Sequence, residues 1–121
     1  MSDSLPKHSE KRNFQRMDLE LPVRIEVEGK QIETNTQNIS CGGMFLPIGN
    51  PEAAEKLKEE GGLLAYITIP EQYKTVQLAG RIKRIQRNSD RDPVGVAIQF
   101  SGLFDDNFLE IDRYLKTKTV N

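Results

Sequence analysis

The sequence predicts an all-β domain closed by one C-terminal α-helix, with six short strands rolled into a small barrel. Three observations predict it. Apolar residues alternate with polar ones in short runs, as in half-buried strands. Gly, Pro, Asn and Asp punctuate those runs at regular spacing, as in small barrels. A single stripe of helical spacing appears only at the C-terminal end. At 121 residues the chain is one domain on size grounds and can bury a core without staples.

The elements follow in order. Residues 1–17 are polar, with four basic residues (Lys7, Lys11, Arg12, Arg16) against Asp3 and Glu10. Only Leu5, Phe14 and Met17 offer anything to bury, so this stretch reads as a flexible arm preceding a domain over residues 18–121. Leu21, Val23, Ile25 and Val27 alternate with Pro22, Arg24, Glu26 and Glu28 and form the first strand. Gly29-Lys30 is its turn. Ile32, Thr34 and Thr36 make a second strand that runs into Asn38–Gly43, and Met44, Leu46 and Ile48 a third. Pro51–Glu60 reads as a short helix or ordered loop, with Asn50 as N-cap and Gly61-Gly62 as its stop. Its faces are mostly charged, so little core is expected from it.

Leu63–Pro70 is apolar on both faces, which predicts a central strand. In Thr75–Arg87, Val76, Leu78, Gly80 and Ile82 share a face, and Ile85 falls out of phase. A bulge near Lys83-Arg84 explains the slip. Ser89–Pro93 is a turn, and Val94, Val96, Ile98 and Phe100 give the clearest alternation in the chain. Phe104, Phe108, Ile111 and Leu115 then line one side of a helix. In this Phe104–Lys116 helix Asp105 and Asp106 sit at the N-terminal end and Lys116 and Lys118 at the C-terminal end, both in the sense that favours the helix dipole.

Composition narrows the function. Hydrophobic residues make up 36% and charged residues 29%, with a mean hydropathy of -0.57, the profile of an ordinary soluble domain. The net charge of -1 argues against a general nucleic-acid binder. One cysteine permits no internal disulfide and fits a reducing compartment. No apolar run approaches the roughly 18–20 residues that span a bilayer, and Met1–Pro6 lack the apolar core of a signal peptide. The expectation is a cytoplasmic protein with no membrane partner. His8 is the single histidine and lies in the arm, so neither a hydrolytic triad around Ser40 nor zinc ligation has the residues it needs. No catalytic residue, metal ligand or cofactor is assigned, and the chain does not read as an enzyme.

Two stretches carry chemistry. Asn38-Ile39-Ser40-Cys41-Gly42-Gly43 sets two short polar side chains beside a bare backbone. It is either a turn built on Asn and Ser or a surface against which a flat or anionic ligand lies. Arg12 and Arg16 sit four apart in the arm, and arginine both forks onto phosphate and stacks on flat rings. A second basic group, Arg81, Lys83, Arg84, Arg87 and Arg91, reads either as a solvated strand face or as a single-stranded nucleic-acid contact.

Arg12-Asn13-Phe14-Gln15-Arg16 followed by Asn38–Gly43 resembles the paired signature of PilZ domains, bacterial receptors for the second messenger cyclic di-GMP. The family pattern is Arg-x-x-x-Arg in an N-terminal loop, then Asp/Asn-x-Ser-x-x-Gly on the barrel. The strands around Pro22–Ile25, Gly80–Ile82 and Val94–Phe100 and the helix Leu109–Leu115 are similar too, leaving only about the first ten residues and Pro51–Gly62 outside. The resemblance implies a six-stranded antiparallel barrel with a C-terminal helix. It also implies a ligand site for cyclic di-GMP at Lys11, Arg12, Arg16, Asn38, Ser40 and Gly43. The arginines would take phosphate oxygens or guanine edges, Asn38 and Ser40 a guanine edge, and Gly43 would allow close backbone approach. Asn38 supplies one acceptor oxygen where an Asp would supply two, which implies weaker binding than in an Asp-containing relative. Lys11 stands where the family sets whether one ligand or a stacked pair binds. The function implied is that of a receptor or adaptor which changes its surface for a protein target, with motility or biofilm formation among the family's outputs. A nucleotide-independent interaction module is the alternative.

Overall fold

In a computed structural model describing residues 16–49, 51–101 and 106–119, seven strands form one antiparallel sheet and a helix packs against it. The strands are β1 (Pro22–Val27), β2 (Lys30–Asn35), β3 (Asn38–Ser40), β4 (Gly43–Pro47), β5 (Gly62–Ile69), β6 (Lys74–Arg87) and β7 (Pro93–Phe100). The helix α1 spans Asp106–Thr119. The spatial order is β2-β1-β5-β6-β7-β4-β3. β2 and β3 are joined by only Thr36 and Gln37, yet they occupy opposite ends of that order. So short a link forces the sheet to curl until its ends meet. The Thr34 hydroxyl, which donates to the Pro47 carbonyl at 2.8 Å, ties β2 to β4 at that seam.

The alternation read from sequence is the burial pattern observed. Val23, Ile25 and Val27 of β1 point inward, as do Leu63, Ala65, Ile67 and Ile69 of β5 and Val96, Ile98 and Phe100 of β7. β5 lies inside the sheet, flanked by β1 and β6. The phase slip in β6 is a bulge: Ile82 pairs with Ile98 and Arg84 with Ala97, leaving Lys83 as the inserted residue. Ile82 and Ile85 thereby both face the core. α1 buries Phe108, Ile111, Tyr114 and Leu115, each contributing on the order of 1.5–3 kcal/mol. Asn107 caps the docking by donating to the Gln77 carbonyl at 2.7 Å. Farther along, Glu71 accepts from the Tyr114 hydroxyl at 2.8 Å and pairs with Lys118. Lys118 first, and the Tyr114 hydroxyl second, hold the Glu71 carboxyl down at about 2.

Four details differ from expectation. There are seven strands rather than six, because β3 is three residues long and alternation cannot register over so short a run. The first turn is Glu28-Gly29 (φ 49° and 80°), one residue earlier than read, since Lys30 already pairs with Val27. The segment after Gly49 makes a single 3-10 turn over Pro51–Ala54. Among its charged neighbours Ala54 and Leu57 are nevertheless buried, so this segment does contribute to the core. Asn88 organises the β6–β7 turn, its side-chain oxygen accepting from the Asp90 and Asp92 amides at 2.9 Å each. Phe104, Asp105 and Asn50 lie outside the described residues.

Candidate functional site

Ile39 is fully buried, so its neighbours Asn38 and Ser40 belong to the opposite side of β3. The chain entering the domain pairs with this strand. Met17 and Ile39 exchange two backbone hydrogen bonds, Met17 N–H to the Ile39 carbonyl at 2.9 Å and Ile39 N–H to the Met17 carbonyl at 3.0 Å. That bridge brings Arg16 beside Asn38, and the Arg16 guanidinium donates to Asn38 Oδ1 at 2.7 Å. Residues twenty-two apart in sequence thus meet side chain to side chain. The contact leaves the Asn38 amide its two N–H donors and the second lone pair of Oδ1. Lys11 and Arg12 lie outside the described residues.

Thr36 fixes the approach of this segment. It is 1% exposed, and its hydroxyl accepts from the Leu21 amide at 2.8 Å and donates to the Leu19 carbonyl. Its own amide donates to the Leu21 carbonyl at 2.9 Å. Leu19–Leu21 are therefore clamped to the corner between β2 and β3, which sets the path that ends at Met17. From sequence Thr36 reads as one more strand residue. The one available signal was a hydroxyl on an apolar-phase position, where burial demands partners.

Ser40 is 3% exposed. Its hydroxyl accepts from the Gly42 amide at 3.2 Å and donates to the Gly43 carbonyl at 3.4 Å, closing the β3–β4 turn. Gly43 pairs with Ser40 on one side and Gln99 of β7 on the other. A Cβ built on Gly43 would lie 2.3 Å from the Ile98 carbonyl oxygen, so the sheet itself requires glycine there. Cys41 is buried within the turn, and burial, followed by the nearby Asp112 of α1, pushes its thiol up to about 11. A thiol that stays protonated at neutral pH is a poor nucleophile.

Phe45 was not singled out in the sequence because it looked like one more apolar residue of a strand. It pairs with Asn38 and with Ala97, out of phase with the buried Met44 and Leu46. Its half-buried ring covers Gly95, whose built Cβ would fall 2.3 Å from Phe45 Cζ. Phe45 is thus the cross-strand neighbour of Asn38, with its ring laid over β7. No group of three or more His, Cys, Asp or Glu side chains able to hold a metal occurs among the described residues. A groove of about 600 Å³ lies instead over β1, β2 and β5, where Arg24 stacks on the Tyr66 ring at 4.4 Å. None of Arg16, Asn38, Ser40 or Gly43 lines it.

A curled antiparallel sheet with a C-terminal helix, whose entering segment pairs with an Asn-x-Ser-x-x-Gly strand, defines a small barrel of the PilZ type. The sequence model of the PilZ domain matches residues 10–117, and the chain belongs to the PilZ family. Among solved structures, the Bacillus subtilis inhibitor of motility MotI (DgrA) superposes with a TM-score of 0.70 at 21% identity, covering 88% of this chain and 50% of that one. This chain thus spans about half the length of MotI. The PilZ domain of Escherichia coli YcgR, solved with c-di-GMP, gives a TM-score of 0.65 at 11% identity, covering 91% and 99%. The PilZ domain of CeSA from a cellulose-synthesizing bacterium gives 0.61 at 15%, covering 84% and 98%. No curated protein matched the sequence. No helix among the described residues is long and apolar enough to cross a membrane.

Proposed function

We propose that this chain is a cytoplasmic cyclic di-GMP receptor, not an enzyme, whose ligand-bound surface is read by a protein partner. Family membership and the YcgR domain solved with c-di-GMP support the ligand class. The observation that carries the reading onto this chain is the 2.7 Å bond from Arg16 to Asn38, which joins one residue of each half of the motif at a single spot. Lys11, Arg12, Arg16, Asn38, Ser40 and Gly43 are the proposed ligand residues. A guanidinium offers a planar fork to a phosphate or to guanine O6 and N7. The Asn38 amide presents both a donor and an acceptor to a guanine edge. Phe45 adds a ring on which a base can stack. The buried Ser40 hydroxyl shapes the turn that sets Asn38 and the backbone at Gly43, so its part in binding is positional.

Titration calorimetry with cyclic di-GMP tests this. Heat of binding is expected from the intact chain, and its loss in Arg16→Ala and Asn38→Ala localises the site. No heat at tens of micromolar protein sinks the reading. A set of captured partners unchanged by the nucleotide, in a pull-down with and without it, favours an interaction module independent of the ligand.

A further inference from the structure

We infer that the ligand surface continues from β3 across β4 and β7 to Arg81 and Arg84 on β6, where Glu60 acts as a tethered carboxylate that the ligand displaces. The inference rests on the cyclic di-GMP reading above and deepens it.

Pairing defines two rows across the sheet. Asn38 pairs with Phe45, Phe45 with Ala97 and Ala97 with Arg84. Ser40 pairs with Gly43, Gly43 with Gln99 and Gln99 with Arg81. Directly paired residues share a face, so both rows lie on the side of the sheet opposite the core. Three strand spacings separate the motif from β6, about 14 Å. Cyclic di-GMP is elongated, with a guanine on either side of a doubly phosphorylated ring. A guanine held at Asn38 directs the rest of the molecule along these rows.

The bulge in β6 makes this possible. In an unbroken strand, residues 81 and 84 would face opposite sides. The inserted Lys83 restores Arg84 to the face that Arg81 occupies, while Ile82 and Ile85 both keep to the core. Bulges commonly re-aim side chains beside a site in this way. The result is two outward arginine forks facing a row that holds no acidic side chain of its own.

An acid is supplied from outside the row. Glu60 reaches Arg81 Nε at 3.7 Å and Lys83 Nζ at 3.8 Å. Its backbone is stitched to β6, with its amide donating to the Ile82 carbonyl at 2.6 Å and the Ile82 amide to the Gly61 carbonyl at 2.9 Å. Glu60 adopts a φ of 69°, an uncommon conformation for a side-chain-bearing residue. The loop is thus held where its carboxylate stands between two cations. Both contacts exceed hydrogen-bond length and all three side chains are half exposed, so the pairs are weak. A phosphate that forks onto arginine is the stronger partner and replaces them.

Calorimetry with cyclic di-GMP at low and at physiological salt tests the inference on the full chain and on Arg84→Ala, Arg81→Ala and Glu60→Gln. Each arginine variant is expected to bind about tenfold more weakly, as loss of a charge-assisted contact implies, with a shallower salt dependence. Glu60→Gln is expected to bind about threefold more tightly, a gain that vanishes in the Arg81→Ala background if the two groups are coupled. Wild-type affinity in both arginine variants, with the parent chain binding, overturns the extension and leaves the motif site standing. Absence of binding by the parent overturns both. Circular dichroism on each variant confirms that these exposed substitutions leave the fold intact.

Discussion

Two tight turns in this chain contain glycine, for opposite reasons. The β1–β2 turn, Glu28-Gly29, requires left-handed backbone at both positions, and a Cβ on Gly29 would meet nothing within 4 Å. It is a two-residue hairpin of the primed kind, in solvent and shaped by dihedral preference alone. The β3–β4 turn takes no left-handed residue. It is closed by the Ser40 hydroxyl and packed beneath β7, with the Phe100 amide donating to the Gly42 carbonyl at 2.9 Å. Gly43 is there for space. A glycine within a ligand-binding signature is thus also a requirement of the sheet, and loss of binding on changing it does not by itself identify a ligand contact.

The sharpest way to break this comparison is Gly43→Ala. A methyl 2.3 Å from the Ile98 carbonyl forces β4 and β7 apart. The expected cost is about 3 kcal/mol, a fall in Tm on the order of 10 °C in a thermal melt. A melt unchanged from the parent would show that the sheet tolerates a side chain there. Ser40→Ala comes next: the Gly42 amide loses its buried partner, for an expected loss of about 1–2 kcal/mol in chemical denaturation, with weaker cyclic di-GMP binding. Gly29→Ala is the smaller change. Left-handed alanine costs about 1 kcal/mol, partly offset by the stiffer unfolded chain, and ligand affinity is expected to stay at the parental value.

The finest probe leaves stability at neutral pH untouched. The Cys41 thiol sits inside the packed turn with its pKa raised to about 11 from an ordinary 9.0. Because the folded state holds that proton more tightly, the contribution is complete below pH 9 and is lost as pH rises through 11. Alkylation at pH 8 is expected to be much slower in the native protein than in denaturant, and slower again with ligand bound. Native labelling at the unfolded rate would mean that the turn opens freely.

Much of this architecture was legible because strand burial has a period of two. The alternation of Val94–Phe100 and the slip between Ile82 and Ile85 were enough to place a strand and a bulge. What was not legible is non-local. No local pattern says that two residues, Thr36 and Gln37, carry the chain from one end of the sheet to the other. Nor does a pattern reveal that Ala54 and Leu57 fill the core from within a charged segment. At the site, Asn38, Ser40, Gly43 and Arg16 were visible through motif spacing. Phe45 was hidden because its partners Asn38, Ala97 and Gly95 come from two other strands. The companionship of Arg81 and Arg84 with the motif was hidden likewise, since strand order had to be known before their rows could be drawn.

The bridge between Met17 and Ile39 has a consequence in mass action. It fixes the end of the arm on the strand that carries the motif, and Arg12 lies only four positions upstream of Arg16. For the proposed ligand, a second arginine at that spacing counts at an effective concentration in the millimolar range, whatever the concentration of protein in solution. The loop-closure entropy of bringing Met17 to β3 is already met in the fold. Cutting the hydrogen bonds at Met17 would lengthen the tether back to the Leu19–Leu21 clamp and lower the effective concentration.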